Sequence, residues 1–440
     1  MKRVLTAALL CAAFTMQTYA AEPPRRHIRP YASVEEAAAD AAAALSLQPA
    51  KNSSYIHPVT EFTREESEGR TLFSSTYVYP ASWLNRQLLL RVESASAGYT
   101  VIVNGVEVEH VTDGTEAAEF NITKVSQQGI NNLTLRLDSA ESGKTLLNNG
   151  STTPGIGRVE VLSQPALRLR DADVRSRLNE AGDAVVQFLF AVKTDMLNTK
   201  ESRIIYELTA PDKSTLANGY RDVSLGMRGE DTLAFSVIVP RKWLWSADNP
   251  SLLTLTVRNR MNGRNVETVV LPIGVREVTH KDGTLYVNGN EVTLNTATVS
   301  GRTTLKELQK LKSRGYNAVT VAAGDAAPVL YDICDALGLY VVAQAGIDTS
   351  KGSRSMRRGG SASNDPQYTD EYLRRTAAMY HTAKSHPSVV VFSLGHGVTN
   401  GINPYEAYMW IKRTSDERPT IYNAAGGEWN SDCIELKRAR

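Results

Sequence analysis

The stretch HPSVVVFSLGHGVTNG, from His386 to Gly401, gathers polar groups at the end of an apolar run, and chemistry is sought there first. Its β-branched core reads as a buried strand, and its glycines as the turn that follows. His396 lies in that turn, where an imidazole could give or take a proton near neutral pH. Without a second catalytic group, the plainer reading is a hydrogen-bonded loop residue. Asp325, Asp348, Glu406 and Glu428 are the carboxylates that could join it in new positions. Solvated charge or a helix cap accounts for each as well, and Glu406 falls early in a helical pattern, where the dipole favours it. The segment SKGSRSMRRGGSASND, Ser350 to Asp365, brings Lys351, Arg354, Arg357 and Arg358 into one Gly/Ser-rich loop. Such a loop could grip an anionic glycan or phosphate, or simply be solvated. No HxxxH or CxxC spacing occurs, so neither a metal site nor a cofactor is expected.

These residues must be positioned by elements that the periodicity announces. The segment SVEEAAADAAAALSLQ, from Ser33, carries a Ser cap and early acids and predicts a short helix packed on a neighbour. From Tyr55 to Gln164, short alternating strands are broken by Gly, Asn and Asp, with an NG hairpin in YTVIVNGVEVEHV, as in an all-β sandwich. A second β segment, from Pro165 to about Val278, has the length of an immunoglobulin-like sandwich. Beyond it, apolar strands such as NAVTV, LYVVAQAG and SVVVFSLG alternate with helical patterns, which means parallel βα units.

Bulk properties agree with three domains in 440 residues: 42% hydrophobic, 22% charged, net charge +2. That balance names no nucleic acid or anionic membrane as partner, and no transmembrane segment follows the N-terminus. Lys2 and Arg3, the apolar run from Val4 to Phe14 and the ending TYAAEPP read as a signal peptide cut near Ala20. Cys11 follows Leu10 inside that run and does not make a lipobox. Cys334 reads as a buried free thiol, with a bond to Cys433 left open. The expected organisation is 1–20 signal peptide, 21–54 N-terminal segment, 55–164 and 165–278 sandwiches, and 279–440 α/β domain.

The order of the segments and the words in them resemble glycoside hydrolase family 2, the β-galactosidase, β-mannosidase and β-glucuronidase group. YTVIVNGVEV from Tyr99 and PGIGRVEVL from Pro154 are similar to first-domain motifs, with Gly157 where an aromatic residue is usual. WLWSADNPSLLTLTV from Trp243 and IGVREV from Ile273 are similar to the second-domain junction and the start of the barrel, and HPSVVVFSLG to a barrel strand. The resemblance implies a jelly-roll sandwich, an immunoglobulin-like sandwich and then an incomplete (β/α) TIM-type barrel of about five of eight units. It also implies two carboxyl groups at strand ends, one protonating the leaving oxygen while the other meets the anomeric carbon.

At those positions the chain departs from the family. Where the family has SLGNE, with the glutamate as acid/base, Ser393 to Gly397 read SLGHG. His396 replaces the asparagine and Gly397 the acid. The family's DEAN is AQAG, with Gln344 in the glutamate's place and Gly346 in the asparagine's, and its RGVNRHE is NTATVSG from Asn295. The family's nucleophile lies on a strand later than the last unit before Arg440. These losses favour an exported chain that kept the scaffold and gave up hydrolysis, working as a glycan-binding or envelope-associated accessory, periplasmic, outer-membrane-associated or secreted. Its candidate ligand-binding residues are His396, Gln344, Asp348, Asp325, Arg357 and Arg358. The alternatives are a β-glycosidase with relocated carboxylates and a structural subunit. An unfinished barrel leaves an unpaired edge, so either the sheet flattens under covering helices or another chain, a partner or a second copy, covers it.

Overall fold

The computed structural model describes residues 28–45, 53–114, 116–138, 146, 155–321, 328–422, 431–432 and 437–438. The segment read as a signal peptide, with Cys11, Asp325, Glu428 and Cys433, lies outside them.

Helix α1 (Val34–Leu45) forms where the Ser cap and alanines demand it, and Glu36 N–H donates to Ser33 Oγ at 3.3 Å. Its Ala37 packs with Tyr31, Ile56, Leu89 and Leu162, while Tyr31 exchanges backbone hydrogen bonds with Thr268. The N-terminal segment is thereby stitched to both sandwiches that follow.

The first sandwich has a four-stranded sheet in the order β1 (Ile56–Val59), β9 (Val159–Gln164), β4 (Gln87–Val92), β7 (Ala118–Asn121). Against it lies a five-stranded sheet, β2 (Thr63–Ser67), β3 (Arg70–Tyr79), β8 (Gly129–Leu137), β5 (Tyr99–Val103), β6 (Val106–Val111). All its pairings are antiparallel. Alternation in β8 places Leu133, Leu135 and Leu137 inward, and Asn104 and Gly105 both take positive φ in the β5–β6 turn, as the NG pair requires. The second sandwich sets β10 (Leu167–Leu178), β11 (Ala184–Thr194), β14 (Glu230–Val239) against β13 (Thr215–Leu225), β12 (Lys200–Thr209), β15 (Leu253–Met261), β16 (Arg264–Ile273). Its core is aromatic, with Phe188 and Phe235 stacked at 5.0 Å.

An antiparallel ribbon of β17 (Val278–Lys281), β18 (Thr284–Val287) and β19 (Asn290–Val292) leads into the last domain. There β20 (Asn295–Val299), β21 (Ala318–Val321), β22 (Tyr340–Gln344), β23 (Val389–Ser393) and β24 (Thr420–Ile421) pair in parallel and in chain order. Helices α2 (Leu305–Ser313), α3 (Pro328–Leu337), α4 (Thr369–Ala383) and α5 (Ile402–Arg413) connect them. The capping box of Thr304 and Glu307 starts α2. Cys334 is buried in α3 and free.

Among the described residues the sheet is open, and its two ends are met by the chain itself. A short sixth strand, β25 (Lys437–Arg438), pairs in parallel with β20 at Asn295 and Thr296. At the other end, Thr420 N–H donates to Asp432 Oδ2 at 2.6 Å and its carbonyl accepts from Asp432 N at 3.0 Å. Of the two expectations, covering helices or another chain, neither named what is seen where described: residues of the same chain meet both ends of the sheet. Thr420 of β24 and Asn295 and Thr296 of β20 are met by residues after position 430.

Candidate functional site

The end of β23 sits beside the end of β22, and Ser393 and Gln344 are register partners. Parallel strands of a βα sheet usually release their loops at this end, where sites are built. Here the two strand extensions stay paired. Ala345 N donates to Ser393 O at 2.8 Å, His396 N to Ile347 O at 2.7 Å and Thr349 N to His396 O at 3.0 Å. The result is a parallel bridge between Asp348 and His396, which Thr349 Oγ1 extends by donating to Gly397 O at 3.0 Å.

So close an approach needs glycine. Gly397 has φ +65°, and a Cβ there would lie 2.4 Å from Ser350 Cα and 2.6 Å from Ser350 N. Gly395, at φ +128°, would put a Cβ 2.6 Å from Ile347 O. The position where the resemblance places a catalytic glutamate is therefore one where no side chain fits while the ladder stands.

Asp348 is 2% exposed, its Oδ1 accepting from Ser350 N at 2.9 Å and its own N–H donating to Leu146 O at 2.8 Å. Leu146 comes from the segment between β8 and β9 of the first sandwich, and its side chain joins the core of the parallel domain. Gln344 is buried at the tip of β22, whereas the His396 side chain is exposed. The structure thus gathers Asp348, His396 and Gly397 into one ladder with Gln344 at its base.

Arg357 and Arg358 are not drawn in. Both are exposed, on a loop held by turn hydrogen bonds such as Gly360 N to Arg357 O at 2.8 Å. The far half of that loop is pinned by Asn403, whose Nδ2 donates to Ala362 O at 2.8 Å and Asp365 O at 2.9 Å. Glu406 lies one turn further into α5 than the dipole argument required, since the helix begins at Ile402 and carries no acid in its first turn.

Sequence reasoning missed a buried charge cluster beside this mouth. Arg375, on α4, is 1% exposed and meets Asp113 of the first sandwich at 2.9 Å, Glu371 at 2.8 Å and the carbonyl of Gly346. Burial, then the neighbouring Asp113, pushes the Glu116 carboxyl up to about 8 against the opposing charges of Arg375 and Arg374. No local pattern announces this cluster, because its members come from different domains. Among the described residues, Asp332, Asp335 and His386, at the opposite end of β23, form a donor set with metal-ligand spacing. Its groups already serve the fold: Asp335 takes His386 Nδ1 at 2.7 Å and Ser388 N at 2.9 Å.

Two antiparallel sandwiches followed by parallel βα units, with altered groups at the strand ends, define the chain as a glycosidase-type scaffold. Residues 167–276 match the family model described as glycosyl hydrolases family 2, and residues 281–437 its TIM barrel domain. The β-galactosidase of Psychromonas ingrahamii is 26% identical over 377 residues, 81% of this chain and 36% of the relative. That of Leuconostoc mesenteroides is 27% identical over 365 residues, 79% of this chain and 35% of the relative. The chain therefore spans about a third of the length of these curated relatives. A family 2 glycosyl hydrolase from Bacteroides cellulosilyticus superposes with TM-score 0.66 at 18% identity, covering 81% of this chain and 50% of that one. A β-glucuronidase of Bacteroides uniformis gives 0.67 at 16%, covering 91% and 52%. The chain belongs to glycoside hydrolase family 2.

Proposed function

We propose that this chain is an exported, non-hydrolytic relative of the family 2 glycosidases that binds glycan as an accessory of the cell envelope. One observation carries the loss of hydrolysis. The acid/base position is Gly397, and its backbone conformation and contact with Ser350 leave no room for a carboxyl group. Protonation of the leaving oxygen has no group there to perform it. His396 is exposed one residue earlier and has no adjacent carboxylate at hydrogen-bond distance among the described residues. It serves as a contact for sugar hydroxyls, with Gln344 and Asp348 shaping the wall behind it. Export rests on the basic start, apolar run and small residues up to Ala20. The names of the relatives, β-galactosidases and β-glucuronidases, point to β-linked galactose or glucuronic acid as the sugar to try first.

The test is a panel of chromogenic β-galactosides and β-glucuronides, run beside a glycan array with the same preparation. The expected outcome is no turnover above an empty-vector control together with saturable binding on the array. Turnover by the natural chain would overturn the inactive reading and move the search to Asp348, Asp325 and Glu428. Absence of both turnover and binding would overturn the glycan reading.

A further inference from the structure

At the end of the parallel sheet opposite the mouth, a cavity of 630 Å³ opens between the second sandwich and the last domain. Its floor is the outward face of β10, β11 and β14, including Gln187 and Ser236, which are register partners. Its wall carries Arg276, just before β17, and Arg418, just before β24.

These two guanidinium groups converge on one acceptor. Arg276 Nη2 donates to Val389 O at 2.9 Å and Arg418 Nη1 to the same oxygen at 3.1 Å. Two cations are held side by side, and they are not equally compensated. Arg418 is held on both sides by Asp416, with Nε to Oδ1 at 2.9 Å and Nη2 to Oδ2 at 2.5 Å, and it also lies over the Phe392 ring at 4.5 Å. Among the described residues the Arg276 side chain donates only to the carbonyls of Val389 and, at 3.3 Å, His386. Its Nε is buried without a hydrogen-bond partner, and among the described residues no carboxylate lies within ion-pair distance. The acids around the cleft are otherwise occupied: Asp173 with Arg175 at 3.2 Å, Glu417 with Arg177, and Glu277 by the N–H of Leu178 at 3.0 Å. Burial, then the charge of Arg418, pushes the Arg276 guanidinium down to about 9 against the more distant charges of Asp416 and Asp335, the direction expected of a buried cation beside another with no carboxylate in contact.

We propose that this cleft binds a small oxyanion, free or carried by a sugar, whose carboxylate, sulfate or phosphate group seats on Arg276. An oxyanion supplies both a contacting negative charge and acceptors for a planar guanidinium, which pairs with such groups in a forked geometry. The cavity is far larger than one anion and falls in the size range of small-molecule sites, so Gln187 and Ser236 on its floor are free to meet the hydroxyls of an attached sugar. This site is separate from the strand-end mouth, and its existence does not depend on what that mouth does.

Calorimetric titration of the full chain with sodium sulfate, sodium glucuronate and neutral glucose tests it. Saturable binding of at least one anion and none of glucose is expected, with Arg276→Gln weakening it by about tenfold or more and Arg276→Lys retaining part of it. Ser236→Trp narrows the exposed floor without touching the guanidinium, so it reports even if the Arg276 variants fold poorly. Loss of glucuronate binding in Ser236→Trp with sulfate binding unchanged identifies the sugar-borne anion, and unchanged binding of both sulfate and glucuronate identifies the free one. The proposal is overturned if neither anion binds saturably in the millimolar range, or if Arg276→Gln binds as the parent does.

Discussion

At Gly397 the left-handed backbone and the contact with Ser350 act together, and the two effects can be separated. Gly69, in the β2–β3 turn, has a similar φ of +73°, but a methyl group added there would meet nothing within 4 Å. Alanine at Gly69 should therefore cost about 1 kcal/mol, the backbone term alone. At Gly397 the same substitution adds overpacking against Ser350, so a loss of about 2 to 4 kcal/mol is expected in urea unfolding. Equal losses at the two sites would mean that the ladder yields easily and that a side chain at 397 can be housed. The same measurement on Gly397→Glu decides whether restoring the family's acid is physically open to this chain.

On the scale of elements, the parallel sheet does not close among the described residues, and Asp432 is the residue that meets β24 at Thr420. Burial opposes its ionisation, but hydrogen bonds from His280, Lys412 and Thr420 N–H outweigh that and hold its carboxyl well below the usual range. Its folded value lies below the unfolded 3.8, so the contribution is present above that pH and is lost as the pH falls below it. Asp432→Ala should lower stability at neutral pH by about 1 to 3 kcal/mol, because Thr420 N–H is left without its acceptor. Freed, the edge of β24 should also pair with other copies, and size-exclusion chromatography should show concentration-dependent association. A variant as stable and monomeric as its parent would show that the edge needs no cap.

Across the whole molecule, the first sandwich is clamped to the parallel domain through charge as well as through Leu146. Glu116 reports on that clamp. Its folded value of about 8 lies above the ordinary 4.5, so the stability it confers is full below pH 4.5 and declines as the pH rises toward 8. Asp113, Arg374, Arg375 and Tyr331 are the titratable groups around it. Thermal unfolding of Glu116→Gln should lose much of the decline between about pH 5 and 8 that the parent shows. An unchanged pH profile would remove Glu116 from the interface energetics.

Much of the architecture was legible because it is written in local periodicities. Alternation with NG turns marked the sandwiches, apolar runs between helical patterns marked the βα units, and the five letters SLGHG were enough for the resemblance to set Gly397 against the family's acid. What those letters could not show is that Gly397 is held at positive φ under Ser350, since that depends on a loop 47 residues away in the chain. The bonding of Asp432 to Thr420, the clamp of Arg375 on Asp113 and the meeting of Arg276 and Arg418 on one carbonyl have the same origin. Order along the chain was enough to say which segments become strands and helices and which chemical groups stand at their ends. Which charges meet and which backbones touch was settled by the folded arrangement, because burial and Coulomb interaction depend on distances between segments that no local pattern encodes.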